Sequence, residues 1–202
     1  MTRFTISIIS FMVFVPILAE QSSAEIEPEA VLGIWLLDEN KGGVATDSSK
    51  NGRNGKITGS LKVVKAKFNQ GFEFEGKLNN YVSVYFSQGA NQWRGANGKT
   101  EVSDEKWHHT AGSYDGKKLL LYVDGVQEAE GSHKGKPDFM DDPLMLGGGS
   151  LWPFKGIIDD IGLFNKALSI DEIKTIMKEG LSSMLAVSPS GQLTITWAEI
   201  KK

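Results

Sequence analysis

Residues 105–129 read EKWHHTAGSYDGKKLLLYVDGVQEA, and two Asp-Gly pairs, Asp115-Gly116 and Asp124-Gly125, divide them. Each pair stands between runs that are apolar or that alternate. Asp-Gly in that setting is a strong hairpin signal, because a type I′ turn needs positive φ at both central residues. Residues 107–114, 117–123 and 126–130 are therefore expected to form three antiparallel strands in a meander. In the middle strand Leu119, Leu121 and Val123 point one way, and Leu120 and Tyr122 the other. A strand that is apolar on both faces calls for cover on both, which predicts two stacked sheets.

Upstream of the meander, residues 31–37 are an apolar strand candidate centred on Trp35. Glycines and polar residues over 41–59 read as a loop with turns at Asn51-Gly52 and Asn54-Gly55. Residues 60–67, 71–74 and 81–86 are further strand candidates, the last two flanking a loop over 76–80. Downstream, residues 131–143 are polar and turn-rich, and 144–146 and 156–164 supply the last strands. One helix is predicted over 169–180. Ser169 and Glu172 form a capping box, Ile170, Ile173, Ile176 and Met177 an apolar stripe, and Gly180 the stop. Beyond it lies a C-terminal extension over 181–202, where Leu193, Ile195 and Trp197 alternate with threonines as a possible strand. Glycine punctuation with almost no helical periodicity argues an all-β, antiparallel two-sheet sandwich.

The N-terminus reads as an export leader. Arg3 provides the positive charge, residues 4–18 are nearly all apolar but short for a membrane span, and Ser22-Ser23-Ala24 offers small residues for cleavage after Ala24. The competing reading is an uncleaved anchor. Residues 25–30 then form a linker, and residues 31–180 the domain. The net charge of −3 and the absence of Lys/Arg-rich runs give no electrostatic footprint for nucleic acid or an anionic membrane. No cysteine is present, which excludes disulfides and thiolate chemistry. The expectation is a secreted, periplasmic or cell-surface protein without a membrane span in its mature form.

Four segments carry a family resemblance. Trp107-His108-His109-x-Ala111 with Tyr114-Asp115-Gly116 and Leu119-x-Leu-Tyr-Val-Asp-Gly-Val126 resembles the signature of laminin-G-like domains of the concanavalin A-like jelly-roll type. Trp35-Leu-Leu-Asp-Glu with Asp47-Ser-Ser-Lys-Asn-Gly, then Gly71-Phe-Glu-Phe-Glu-Gly with Tyr81-Val, then the stretch from Gly156 to Ser169 agree with it, in the family's order. The resemblance implies a jelly roll. It also shows a departure, because between Val84 and Trp107 there is room for fewer strands than relatives carry, so the fold is expected to lack some central strands. The resemblance further implies a structural calcium ion held by Asp159, by Asn80 where relatives commonly have Asp, and by Asp38, with carbonyls near Gly76 completing the shell. The alternative for Asp159 is a carboxylate that caps backbone amides in a turn.

Candidate chemistry is sparse. His108 and His109 are adjacent in a strand, so they point to opposite faces and do not readily share a metal; packing or capping is the expected role. His133 sits in a polar stretch and is expected to be solvated. Glu73 and Glu75 are two apart on a strand, as paired acids are in glycoside hydrolases, but a solvated face is the plainer reading. Trp35 and Trp107 are expected in the core. Trp93 with Arg94 and Asn97, and Trp152 near a glycine loop, are the candidate ligand-binding residues, because sugars stack on flat rings and hydrogen-bond to polar neighbours; the competing reading is packing at the edge of the core. The resemblance thus implies a non-catalytic binding module for a glycan or an extracellular protein. The alternatives are a polysaccharide-cleaving enzyme on the same fold and a shortened structural or interaction module. Mass spectrometry of protein recovered from the exporting cell should show a mature chain that begins at Glu25; an intact segment from Met1 to Ala24 would instead identify an anchor.

Overall fold

The computed structural model describes residues 26–39, 43–59, 61–77, 80–88, 92–138, 143–147 and 153–185. A single turn over Pro28–Ala30 leads into β1 (Val31–Trp35), followed by β2 (Val44–Ala45), β3 (Gly55–Lys56), β4 (Lys62–Lys65), β5 (Gln70–Phe74), β6 (Ser83–Ser87) and β7 (Trp93–Asn97). After β8 (Thr110–Tyr114), β9 (Lys118–Val123), β10 (Val126–Ser132), β11 (Gly156–Ile158) and β12 (Ile161–Phe164) come the helices α1 (Ile170–Glu179) and α2 (Ser182–Leu185). All pairs between these strands are antiparallel. The architecture is the expected all-β sandwich with one short C-terminal helix. The leader, Trp152 and the strand expected around Ile195 lie outside the described residues.

The meander forms as its sequence dictates, with one difference. Asp124 and Gly125 both have positive φ, 51° and 72°, so β9 and β10 are joined by the tight turn expected of them. At the first pair only Gly116 is left-handed, at 91°. There the amides of Lys117 and Lys118 donate to the Asp115 carboxylate, which widens the link to three residues. Strand β9 is covered as predicted. Leu119 and Leu121 are buried with Ala96 of β7, and Val84 and Phe86 of β6 pack against them. The two-stranded β6–β7 unit therefore lies over the β8–β9–β10 sheet.

A second apolar cluster joins the remaining strands around Trp35, Leu37, Ala45 and Phe72. Strand β5 runs between β4 and β11, and β12 pairs with β1, with Trp35 opposite Ile161 and Val31 opposite Phe164. Two expectations fail here. Residues 41–59 are not only a loop, since β2 and β3 pair within them. Leu144 and Met145 form no strand and are exposed, because both edges of β5 are already taken by β4 and β11.

Helix α1 reaches from the β9–β10 turn to Phe68 and the β11–β12 turn. Its capping box forms as read, the Glu172 amide donating to the Ser169 hydroxyl at 3.2 Å and the Ser169 amide to the Glu172 carboxylate at 2.6 Å. Lys174 and Met177 pack against Gly125 in the β9–β10 turn, while Gly180 at the other end lies against Phe68. The Leu181 amide donates to Asp160 at 2.8 Å, which ties the end of the helix to the turn between β11 and β12. Ile173 is fully buried beneath it.

The histidines depart from expectation in detail. The His108 ring lies between two carboxylates, Nδ1 2.8 Å from Asp124 and Nε2 2.9 Å from Asp104. Asp104 is also paired with Lys106 at 2.6 Å. This clamp holds the chain before β8 against the β9–β10 turn, so β8 begins at Thr110 and Trp107 is left 42% exposed rather than in the core. His109 is pushed towards the neutral form by burial, against the opposing charge of Asp124. His133 is half-buried rather than solvated; directly after β10, its ring meets Phe86 edge-on at 5.9 Å.

Hydrogen bonds to Asp104 and then Asp124 raise the pKa of His108 above its ordinary value of about 6.5. A raised pKa means the folded state holds the proton more tightly, so this stabilisation is complete below the unfolded value and disappears as pH rises through the folded one. His108→Gln should lower the melting temperature by about 2–4 °C at pH 6, the shift that roughly 1 kcal/mol gives a domain of this size. Thermal unfolding followed by circular dichroism from pH 6 to pH 9 should show the gap between wild type and variant closing as pH rises.

Candidate functional site

Strands β6 and β7, reading Ser-Val-Tyr-Phe-Ser and Trp-Arg-Gly-Ala-Asn, pair with Ser83 opposite Asn97, Tyr85 opposite Gly95 and Ser87 opposite Trp93. Because side chains alternate, these six residues share one face, and Val84, Phe86, Arg94 and Ala96 share the other. The second set covers β9. The first faces outward.

Two aromatic rings stand on that outer face. Trp93 is 64% exposed and Tyr85 52%. Tyr85 does not project into solvent. A Cβ on Gly95 would lie 2.1 Å from the Tyr85 ring, so the ring is laid over the glycine backbone, where any side chain would lift it. The phenol reaches across the pair to donate to the Asn97 side-chain oxygen at 2.5 Å, and the Ser83 hydroxyl donates to the same oxygen at 2.9 Å. One side of the ring is thus pressed on the sheet, and its exposed area is the opposite side. Trp93, a diagonal neighbour about 7–8 Å away between Cα atoms, extends the surface. At the end of the strip the Ser87 hydroxyl donates to Asp138 at 2.6 Å.

The sequence-predicted residues divide accordingly. Trp93 and Asn97 come together on the platform. Arg94 lies on the opposite face, where its guanidinium donates to Gln92 at 2.6 Å and its Nε is buried without a partner among the described residues. Trp152 lies outside the described residues. Sequence reasoning missed Tyr85 and Ser83. Their signal was a tyrosine in an alternating strand paired with a strand that carries glycine, an arrangement that places an aromatic ring over bare backbone.

The remaining candidates occupy other regions. Asp38 and Asp159 meet at one corner with Asp160. Asp38 accepts the Gln70 amide at 3.0 Å, and Asp159 accepts those of Phe68 at 2.6 Å and Asp160 at 3.0 Å. Burial, with the charges of Asp160 and Asp38 adding to it, pushes the Asp159 carboxyl up to about 6. Asn80 sits with the β7–β8 connection instead, its carbonyl accepting the Val102 amide at 2.8 Å and its side chain accepting from Ser103 at 3.4 Å. Among the described residues no group of three or more His, Cys, Asp or Glu is placed to hold a metal. Glu73 and Glu75 border an open pocket of ≈ 380 Å³ with Phe74, Gly76, Lys155 and Gly156. Lys62 lies 2.6 Å from Glu73.

Comparison with known proteins bears on the fold. No curated protein matches the sequence. Among solved structures the chain is similar to domain 4 of AbnA, a GH43 extracellular arabinanase from Geobacillus stearothermophilus, in complex with arabinotriose. The identity is 16%, the match covers 73% of this chain and 98% of that one, and the TM-score is 0.49, a likeness too distant to carry an argument about ligand. A family model described as the concanavalin A-like lectin/glucanases superfamily matches residues 43–174, from just before β2 into α1. That match covers more than half of the chain and runs through every strand from β2 to β12, so the chain belongs to the concanavalin A-like lectin/glucanases superfamily.

Proposed function

We propose that this protein is a non-catalytic module that acts outside the cytoplasm and binds carbohydrate on the outer face of β6 and β7. The observation that carries this reading is the Tyr85 ring, laid over Gly95 with its free side exposed beside Trp93. An exposed aromatic usually finds apolar cover, and one that lies flat next to hydroxyl and amide groups suits a ligand that is apolar on one side and polar at its rim. A sugar ring has that character. The superfamily includes lectins and glucanases; the glucanase alternative would place its acids at Glu73 and Glu75, and Glu73 is already paired with Lys62 at 2.6 Å.

We also propose a structural calcium ion at Asp38 and Asp159. Two carboxylates brought together at a partly buried corner repel one another, and a divalent cation would relieve that repulsion. Each carboxylate oxygen that accepts one amide retains a lone pair for a metal. Asn80 is not brought to this corner, so backbone carbonyls and water would complete the shell.

Two measurements test these readings. In affinity electrophoresis against polysaccharides, Trp93→Ala and Tyr85→Ala should each weaken binding about tenfold, the loss typical of truncating an aromatic anchor, with unchanged circular dichroism and no release of reducing ends. Binding by both variants at the wild-type level would reject the platform. Excess calcium should raise the melting temperature of the wild type relative to chelator, and Asp159→Ala should abolish the difference, since a ligand that binds only the folded state stabilises it. Equal wild-type midpoints in metal-free and calcium-loaded protein would discard the ion.

A further inference from the structure

The polar half of the platform suggests what kind of glycan it takes. Asn97 accepts two hydroxyl donors on one oxygen, from Ser83 at 2.9 Å and Tyr85 at 2.5 Å. That arrangement fixes the amide: its oxygen is turned to the sheet, and its nitrogen, with two N–H donors, has no partner among the described residues. The hydroxyls of Ser83 and Tyr85, having donated, keep lone pairs and can only accept from a ligand. The face thus presents fixed donors at Asn97 beside fixed acceptors at Ser83 and Tyr85, a pattern that complements neighbouring hydroxyl and ring oxygens.

Charge points the same way. None of the six residues on the outer face is ionisable near neutral pH. The cation carried by the pair itself, Arg94, is on the opposite face. A sulfate or uronate group placed here would lose water without gaining a cation from any of these six residues. We infer that the β6–β7 face selects uncharged polysaccharide over sulfated or uronic acid-containing chains, with Asn97 as the residue that reads its oxygens. This rests on the platform reading given above and adds its specificity.

The test uses the mature chain against a panel of neutral polysaccharides (xylan, arabinan and β-glucan) and acidic ones (polygalacturonate and dextran sulfate), at low salt and at about 0.5 M salt, where charge interactions beyond a few ångströms are screened. Wild type should bind at least one neutral polymer with the same affinity at both salt levels, and acidic polymers at least tenfold more weakly. Asn97→Asp, which keeps the accepting oxygens and removes both donors, should weaken neutral binding at least tenfold, and Ser83→Ala, which frees the amide to turn, by a smaller factor. Circular dichroism establishes that each variant is folded, and Ser83→Ala serves if Asn97→Asp is not. Preference for an acidic polymer that fades with salt would overturn the selectivity while leaving the platform in place. So would neutral binding that is lost in Trp93→Ala but unchanged in both Asn97→Asp and Ser83→Ala. Failure of folded wild type to bind any polymer would overturn the platform itself, and self-association abolished by Trp93→Ala would assign the face to a second copy of the chain.

Discussion

The buried carboxylate of Asp47 organises the half of the sandwich that contains the first strand. It is 6% exposed, and its oxygens accept the Ile34 amide at 3.1 Å, the Ser49 amide at 3.0 Å, the Ser49 hydroxyl at 2.6 Å and the Arg53 amide at 2.9 Å. Burial alone would push this carboxyl up; the hydrogen bonds from Ser49, Arg53 and Ile34 outweigh it and hold the pKa below the ordinary value. What the charge secures is the open edge of β1. That strand has β12 on one side only, and its other side is closed by the loop that Asp47 shapes. The Ser48 amide donates to Ile34, the Asn51 side chain to Val31, and Arg53 to Leu32. Without the carboxylate several amides would be left without an acceptor in a partly dry site, each at about 1–3 kcal/mol.

Trp35 shows how that polar loop and the apolar core depend on one another. Its ring lies over Gly33 and packs into the cluster with Leu37 and Phe72, and its indole N–H donates to the Arg53 carbonyl at 2.9 Å. The loop therefore fixes the largest side chain of the core while the core fixes the loop. The second cluster, between β9 and the β6–β7 pair, has a carboxylate at its margin instead: Glu128 of β10 accepts the amides of Lys99 at 2.8 Å and Thr100 at 3.2 Å, just after β7. A sheet of two strands can still present a stable outer face there because its inner face is filled by β9 and its meander neighbours.

Much of this was legible in the residues, where the chain's own short-range rules decide the structure. Asp124-Gly125 set the turn, Ser169 and Glu172 the start of the helix, and the Leu-rich β9 the need for two layers. Sequence rules failed where a distant partner decides. Trp107 is exposed because His108 is drawn between Asp104 and Asp124, two residues whose meeting depends on the fold of the meander. The first Asp-Gly differs from the second because Asp115 turns its carboxylate back on the following amides. Arg94 was grouped with Trp93 and Asn97 by proximity in sequence, whereas strand periodicity sends it to the other face. Tyr85 was passed over because its role comes from Gly95, which sits across the pair and contributes only the absence of a side chain.

The pairing of β1 with β12 also has a mechanical side. Val31, where the chain enters the domain, is paired with Phe164, where β12 ends, so tension on those two points would open the pair one hydrogen bond at a time, like a zip. Helix α1 changes that. It carries the chain away from Phe164 and is fastened at Leu181 to Asp160, next to Ile161 and the opposite end of the strand pair. A pull between the entry at Val31 and the anchored end of the helix then runs along the strands and loads their hydrogen bonds together, in shear. The helix is in this sense also the part that lets the strand pair bear load between its two ends.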